Sequence, residues 1–165
     1  MSAYFGWLPP LVLLSEHGGN WPKYEAALYA IFVEDFVVSK PTFRGRRLGL
    51  KRHPLSNDKE ATFWHLTSTG DVEAERIPEM RKCERIAWPR PGITNCDVAG
   101  VKVWSVSHGQ EQRISIWLEE EDYVIILAER GDYLLLWTAF HVTQDHYRRK
   151  LQRQYDDCNS ALYKG

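Results

Sequence analysis

The stretch from Gln112 to Val142 constrains the fold of this chain more than any other feature. It has the sequence QRISIWLEEEDYVIILAERGDYLLLWTAFHV, in which three apolar runs are separated by short polar connections. That pattern is typical of consecutive β-strands. The tetrapeptide Glu129–Asp132 is short enough to close an antiparallel hairpin. The predicted strands are Arg113–Glu119, Tyr123–Ala128 and Tyr133–His141.

The rest of the chain predicts helices on either side of further strands. Apolar residues recur at helical spacing through Leu28, Phe32 and Phe36, which predicts a helix that packs on the sheet. This order lacks the regular alternation of a parallel α/β fold, so we expect an α+β domain with a mainly antiparallel sheet of about four to five strands. The predicted helices are Pro22–Val38, Pro78–Ala87 and Gln144–Tyr163, and the additional strands are Ala61–Ser68 and Val101–Ser107.

Length and composition narrow the class of protein. A chain of 165 residues with 44% hydrophobic residues predicts one domain, residues 1–165, with a sizeable core. The apolar run Trp7–Leu14 contains two prolines and follows no basic residue, so we expect neither a secretory signal nor a membrane span. Three widely spaced cysteines favour a reduced, cytoplasmic protein. No glycine-rich phosphate loop and no zinc-ligand spacing is present, so we expect no cofactor and no metal.

The charge distribution is uneven although the formal net charge is only −1. The segment Lys40–Arg52 contains six cations and no acid. It predicts either a local positive patch that binds phosphates, through Arg46 and Arg47 above all, or a solvated loop.

Polar residues also interrupt the predicted strands. His65 lies between the bulky residues Trp64 and Leu66, where a polar group needs a role or a partner. The structural alternative is a buried histidine that bonds a backbone carbonyl. Alternation along the last strand puts Thr138 and His141 on opposite faces unless a bulge intervenes. The other polar residues singled out in the stretch Gln112–Val142 are Arg113, Ser115, Arg130 and Tyr133.

The order of several short segments resembles one class of nucleases. The strings FWHL, MRKCERIAW, IWLEEEDYVIIL and ERGDYLLLWTAF resemble the phage and bacterial nucleases of the barnase–EndoU–colicin–RelE-like class, over about Ala61–His141. The resemblance implies a helical part packed on a four-stranded antiparallel sheet. It also implies metal-free cleavage of RNA, often by toxins that act on tRNA or translated mRNA. In this resemblance His65 is the acid or base, Arg81, Lys82 and Arg85 bind phosphate, and Arg130, Tyr133 and Thr138 belong to the terminal hairpin.

Metal-free RNA cleavage needs a base, an acid and cations that stabilise charge on phosphorus. Histidine suits the first two roles, and arginine matches phosphate oxygens. We therefore expect a metal-independent endoribonuclease, with RNA and an antitoxin or immunity protein as partners. The alternative is a non-catalytic module that binds RNA or protein with the same surface. The expected catalytic residues are His65, Arg85, Thr138 and His141, and the expected RNA-binding residues are Arg46, Arg47, Arg81, Lys82, Arg113, Arg130 and Tyr133.

Overall fold

A computed structural model describes the backbone of residues 5–164 and the side chains of residues 5–159. It confirms an α+β fold built on a six-stranded sheet with the strand order β1-β2-β8-β7-β6-β5. The strands are β1 (Thr42–Phe43), β2 (Arg46–Gly49), β5 (Val101–His108), β6 (Glu111–Leu118), β7 (Tyr123–Arg130) and β8 (Tyr133–His141). A separate two-stranded sheet pairs β3 (Ser68–Thr69) with β4 (Ile77–Pro78).

The helices surround this sheet. They are α1 (Trp21–Phe32), which continues as a π-helix over Val33–Val38, and then α2 (Ala61–Thr67), α3 (Met80–Glu84), α4 (Pro89–Thr94) and α5 (Asp145–Lys164). The side chain of Asn20 caps α1 by accepting a hydrogen bond from the Lys23 amide at 3.0 Å, and Pro22 lies in the first turn, where its missing N–H is not needed.

The four long strands form an antiparallel meander, in agreement with the predicted strands from residue 101 onward. β5 pairs with β6, β6 with β7 and β7 with β8. Side chains alternate between two hydrophobic layers, as the strand period requires. On β6, Ile114, Ile116 and Leu118 join the main core with α1–α4. Trp117 faces the smaller core, where Leu151 of α5 packs.

Three sequence predictions of the fold were wrong in detail. The segment Ala61–Ser68 is not a strand, because Ala61–Thr67 forms α2. The sheet has six strands instead of four or five, although it is mainly antiparallel as predicted, with one parallel pair where β2 runs beside β8 at Leu48 and Gly49. The helix predicted over Pro78–Ala87 extends only over Met80–Glu84. The basic run 40–52 forms the hairpin of β1 and β2.

Within residues 5–164, no helix is long and apolar enough to cross a membrane.

Candidate functional site

The predicted site residues do not converge on one cleft. They fall into two groups on either side of the contact between α2 and β8, and a third set lies along the β1–β2 hairpin. His65 connects the first two groups, because its ring belongs to one and its carbonyl oxygen to the other.

The first group forms around the ring of His65. This residue lies in the last turn of α2, and its side chain is only 8% exposed. Its Nε2 lies 2.5 Å from Oε1 of Glu73. The ring also packs edge-on against Trp137, with 5.2 Å between ring centroids. The partner of His65 is therefore a carboxylate and not the backbone carbonyl considered from the sequence.

Glu73 is held in its charged form. Burial by itself raises the pKa of this carboxyl, but the hydrogen bond from His65 and the charges of Arg76 and Lys51 outweigh burial and lower the pKa. An ionised carboxylate can only accept hydrogen bonds. We therefore assign the proton of neutral His65 to Nε2 from the hydrogen-bond pattern. That tautomer leaves Nδ1 with a free lone pair, and no residue among 5–159 bonds it.

Two cations lie against the Trp137 ring of the same group. The guanidinium of Arg113 is 5.0 Å from the ring centroid, and Nζ of Lys51 is 5.9 Å from it. Both distances are within the range of cation–π attraction. We call Lys51, His65, Glu73, Arg113 and Trp137 the Trp137 cluster. It combines a carboxylate–imidazole pair with the charge of Lys51 and with Arg113, whose Nε also pairs with Oε2 of Glu111 at 3.0 Å.

A β-bulge places Trp137 in this position. Leu127 pairs with Leu136, whereas the preceding Ile126 pairs with Thr138, so Trp137 is an extra residue on β8. A bulge of this kind re-aims side chains at a sheet edge. It lies before Thr138 and not between Thr138 and His141.

The second group lines a depression of about 430 Å³ beside the end of β8, bounded by Thr69, Glu79, Arg81, Lys82, Thr138, Phe140, His141 and Thr143. We call it the edge depression. Within the described residues, β2 pairs with β8 only at Leu134 and Leu135. After Leu135 this edge of β8 is not paired with β2 in the described part of the chain. Thr138 and His141 therefore both line the depression along that edge, although strand alternation points their side chains to opposite faces.

Lys82 is the central cation of the edge depression, and its hydrogen bonds are all internal. Its Nζ donates to the carbonyl oxygens of His65 at 2.8 Å and Ser68 at 3.0 Å, and to Oγ1 of Thr138 at 3.2 Å. The Thr138 hydroxyl donates to the His65 carbonyl oxygen at 3.0 Å. Lys82 and Thr138 thus satisfy carbonyl groups that the end of a helix leaves without partners.

Burial and neighbouring cations lower the pKa values of two basic groups at the edge depression, although the carboxyl group of Glu79 also lies there. Burial, followed by the charge of Arg76, lowers the pKa of Lys82 to about 8. Burial, followed by the charge of Arg85, lowers the pKa of His141. Nδ1 of His141 and Nε of Arg85 are buried without a hydrogen-bond partner among the described residues. Arg81 is exposed, and no described carboxylate forms an ion pair with Arg81 or Arg85.

The remaining predicted residues lie along the hairpin and the neighbouring strand ends. Arg46 is paired with Glu129, with 2.8 Å between Nη1 and Oε1, and Arg130 is paired with Glu111. Arg47 instead lies over the ring of Tyr133, 4.9 Å from its centroid. A groove of about 500 Å³ runs past Lys40, Arg47, Arg52 and Tyr133, so only part of the basic run is free to bind an anion.

Sequence reasoning missed Glu73 and Trp137 as site residues and took Lys51 only as part of the basic run. Nothing in the polar turn around Glu73 marks it as the partner of a histidine eight positions earlier. The bulge that orients Trp137 has no signal in the sequence, because the strand Tyr133–His141 contains no glycine or proline.

Comparisons with known proteins give no match: no protein-family model, no curated protein and no solved structure matches the chain. Among the described residues, no group of three or more His, Cys, Asp or Glu side chains is placed to hold a metal ion. The chemistry that the site can carry out therefore has to be judged from its geometry. The Trp137 cluster offers acid–base groups beside cations, and the edge depression offers unpaired positive charge.

Proposed function

We propose that this protein is a metal-independent endoribonuclease whose chemistry takes place at the Trp137 cluster. The observation that carries the proposal is the 2.5 Å hydrogen bond between His65 and Glu73 beside the cations of Lys51 and Arg113. A carboxylate that fixes one imidazole tautomer and stabilises its charged form is a recurring arrangement in general-base catalysis.

The role of each residue in this cluster follows from the atoms that its contacts leave available to RNA. His65 accepts the 2′-OH proton at Nδ1, because its Nε2 is held by Glu73. The 2′-oxygen then bonds to phosphorus, the bond to the 5′-oxygen breaks, and the leaving oxygen takes a proton from water. Lys51 offsets the negative charge that develops on the phosphate oxygens, and Arg113, which also pairs with Glu111, contributes less.

The edge depression binds RNA phosphates in this proposal and takes no part in the chemistry. Arg81 on its wall and the neighbouring Arg85 supply the charge, since neither forms an ion pair with a described carboxylate. Lys82 and Thr138 hold the His65 carbonyl oxygen, so they position the catalytic residue. His141 is assigned no proton-transfer step. The roles as a toxin and the partnership with an antitoxin or immunity protein stay predictions.

One observation favours the alternative of a non-catalytic RNA-binding module. With 8% of its side chain exposed, His65 also serves to fasten α2 to the turn at Glu73. A purely structural histidine would leave the cations of the surface able to bind RNA without cleaving it.

The deciding experiment is RNA cleavage in the presence of EDTA by the wild type, His65→Ala and Glu73→Gln. We expect products with 2′,3′-cyclic phosphate ends, a loss of about 10²- to 10⁴-fold in His65→Ala, and a loss of up to about 10⁴-fold in Glu73→Gln. His108→Ala, which changes an exposed histidine at the end of β5, is the matched control and should cleave normally. Circular dichroism reports whether each variant folds.

RNA binding without cleavage by the wild type would establish the alternative, and cleavage that requires a divalent metal would refute the mechanism.

A further inference from the structure

A second cavity, of about 410 Å³, shares the Glu73 side chain with the Trp137 cluster. It lies between the start of α1, the loop that precedes α2 and the turn that carries Glu73. Its volume is in the range of small-molecule sites, about 300 to 1,000 Å³. The lining residues are Trp21, Glu25, Pro54, Leu55, Ser56, Asn57, Trp64, Glu73, Ala74, Arg76 and Pro78.

Two tryptophans line this cavity, and the indole N–H of each already donates a hydrogen bond within the protein. The indole N–H of Trp21 donates to Oε2 of Glu25 at 3.0 Å. The indole N–H of Trp64 donates to the carbonyl oxygen of Ser56 at 3.0 Å. The rings therefore contribute stacking surface, which unpaired bases of single-stranded RNA occupy in many complexes.

The polar groups of the cavity favour a ligand that donates hydrogen bonds. All three guanidinium nitrogens of Arg76 are used internally, by Oγ and the carbonyl oxygen of Ser68 and by the carbonyl oxygen of Gly70. These bonds use three of the five N–H groups of the guanidinium, so Arg76 is held by Ser68 and Gly70 and keeps two further N–H groups. The carboxylates of Glu25 and Glu73 lie on the wall beside the amide of Asn57. Glu25 also pairs with Lys59 at 3.6 Å, and Glu73 also bonds His65. Each carboxylate has further lone pairs that accept hydrogen bonds.

We infer that this cavity is a nucleobase subsite that binds one unpaired base with an exocyclic amino group. The inference rests on the proposed function, because it takes RNA as the ligand. An exocyclic amino group donates two hydrogen bonds to the carboxylates. The pairing edge of uracil has a single donor, N3–H, which lies between two carbonyl oxygens that the carboxylates repel. Glu73 lies on the wall of the cavity and also holds His65, so the bound nucleotide lies next to the proposed reaction centre. Duplex RNA cannot supply an unstacked base, which makes single-stranded RNA the substrate.

The test is binding of the four nucleoside 5′-monophosphates, measured by ligand-observed NMR, with ribose 5-phosphate as a probe that has no base. We expect AMP, GMP and CMP to bind at least several-fold more tightly than UMP, and ribose 5-phosphate to bind weakest. Leu55→Trp should fill the cavity and weaken nucleotide binding at least 10-fold, since Leu55 lines it and is 52% exposed. Val98→Trp is the matched control, because Val98 is 39% exposed and does not line the cavity.

The outcomes separate this inference from the proposed function. Equal binding of AMP and ribose 5-phosphate, or nucleotide binding that Leu55→Trp leaves unchanged, would overturn the base subsite even if the protein cleaves RNA. Selective nucleotide binding that Leu55→Trp removes would support the subsite even if RNA is bound and not cleaved.

Discussion

Nζ of Lys82 lies 2.8 Å from the main-chain carbonyl oxygen of His65. This hydrogen bond joins α3 to the last turn of α2 and links the edge depression to the Trp137 cluster. The ring of His65 holds Glu73 while its carbonyl oxygen holds Lys82. A change at Lys82 should therefore affect both the stability of this junction and the position of the proposed base.

The pH dependence of stability should reveal the charge of Lys82. Burial lowers the pKa of this amine from 10.5 to about 8 in the folded protein. Between these two values the unfolded chain keeps a proton that the folded chain has released, so the contribution of Lys82 to the free energy of unfolding rises with pH. We expect the difference in unfolding free energy between the wild type and Lys82→Met to shift in favour of the wild type by on the order of 2 kcal/mol from about pH 7.5 to pH 10.5.

Urea denaturation at a series of pH values measures this difference. Lys23→Met is the control, because Lys23 lies exposed in the first turn of α1 and has no contact with the junction. A difference for Lys82→Met that stays constant over the pH range would show that the amine is not in the buried, cation-flanked environment described above.

The sequence predicted the meander and the amphipathic helix α1 because the spacing of apolar residues and the length of these segments distinguish strands from helices. Strands β5–β8 show apolar residues in two alternating layers, and α1 repeats its buried residues every four positions. The segment Ala61–Thr67 has no such periodicity. Six of its seven residues are buried, and a short apolar run buried on all sides has the same pattern in a helix and in a strand.

The candidate site was predictable in its residue types but not in its grouping. His65 was identified because a histidine among bulky apolar residues needs a partner, yet the partner Glu73 comes from a polar turn that has no periodic signal. Arg81, Lys82, Thr138 and His141 line one depression, whereas Arg85, which was predicted to act with Thr138 and His141, does not line it. His65 lies apart because α2 is a helix, which changes the direction of its side chain relative to the predicted strand.

Replacing Gly49 should disturb the aromatic side of the basic hairpin. A Cβ atom at position 49 would lie 2.5 Å from Cδ2 and Cε2 of Tyr133, so the ring must move away from its place beneath Arg47. We expect Gly49→Ala to destabilise the protein by about 1–3 kcal/mol and to weaken RNA binding. Thermal unfolding and fluorescence anisotropy with a labelled RNA measure the two effects. Gly6→Ala, where a Cβ meets nothing within 4 Å, should change stability by less than about 0.5 kcal/mol. A stable Gly49→Ala variant with normal RNA affinity would show that the Tyr133 ring has no role in binding.

Arg46 and Arg47 are neighbours in sequence but should differ in their contribution to RNA binding. Arg46 is neutralised by Glu129, with 2.8 Å between their charged atoms, whereas Arg47 lies on Tyr133 and forms no ion pair with a described carboxylate. Each phosphate contact adds about 0.7 to the salt slope of binding to a single strand. Arg47→Ala should therefore reduce the slope of log K against log salt by about that amount, and Arg46→Ala should reduce it less. Anisotropy titrations at several salt concentrations measure both slopes. Equal slopes in the wild type and Arg47→Ala would place the phosphate contacts elsewhere, with Arg81 of the edge depression and its neighbour Arg85 as the next positions to test.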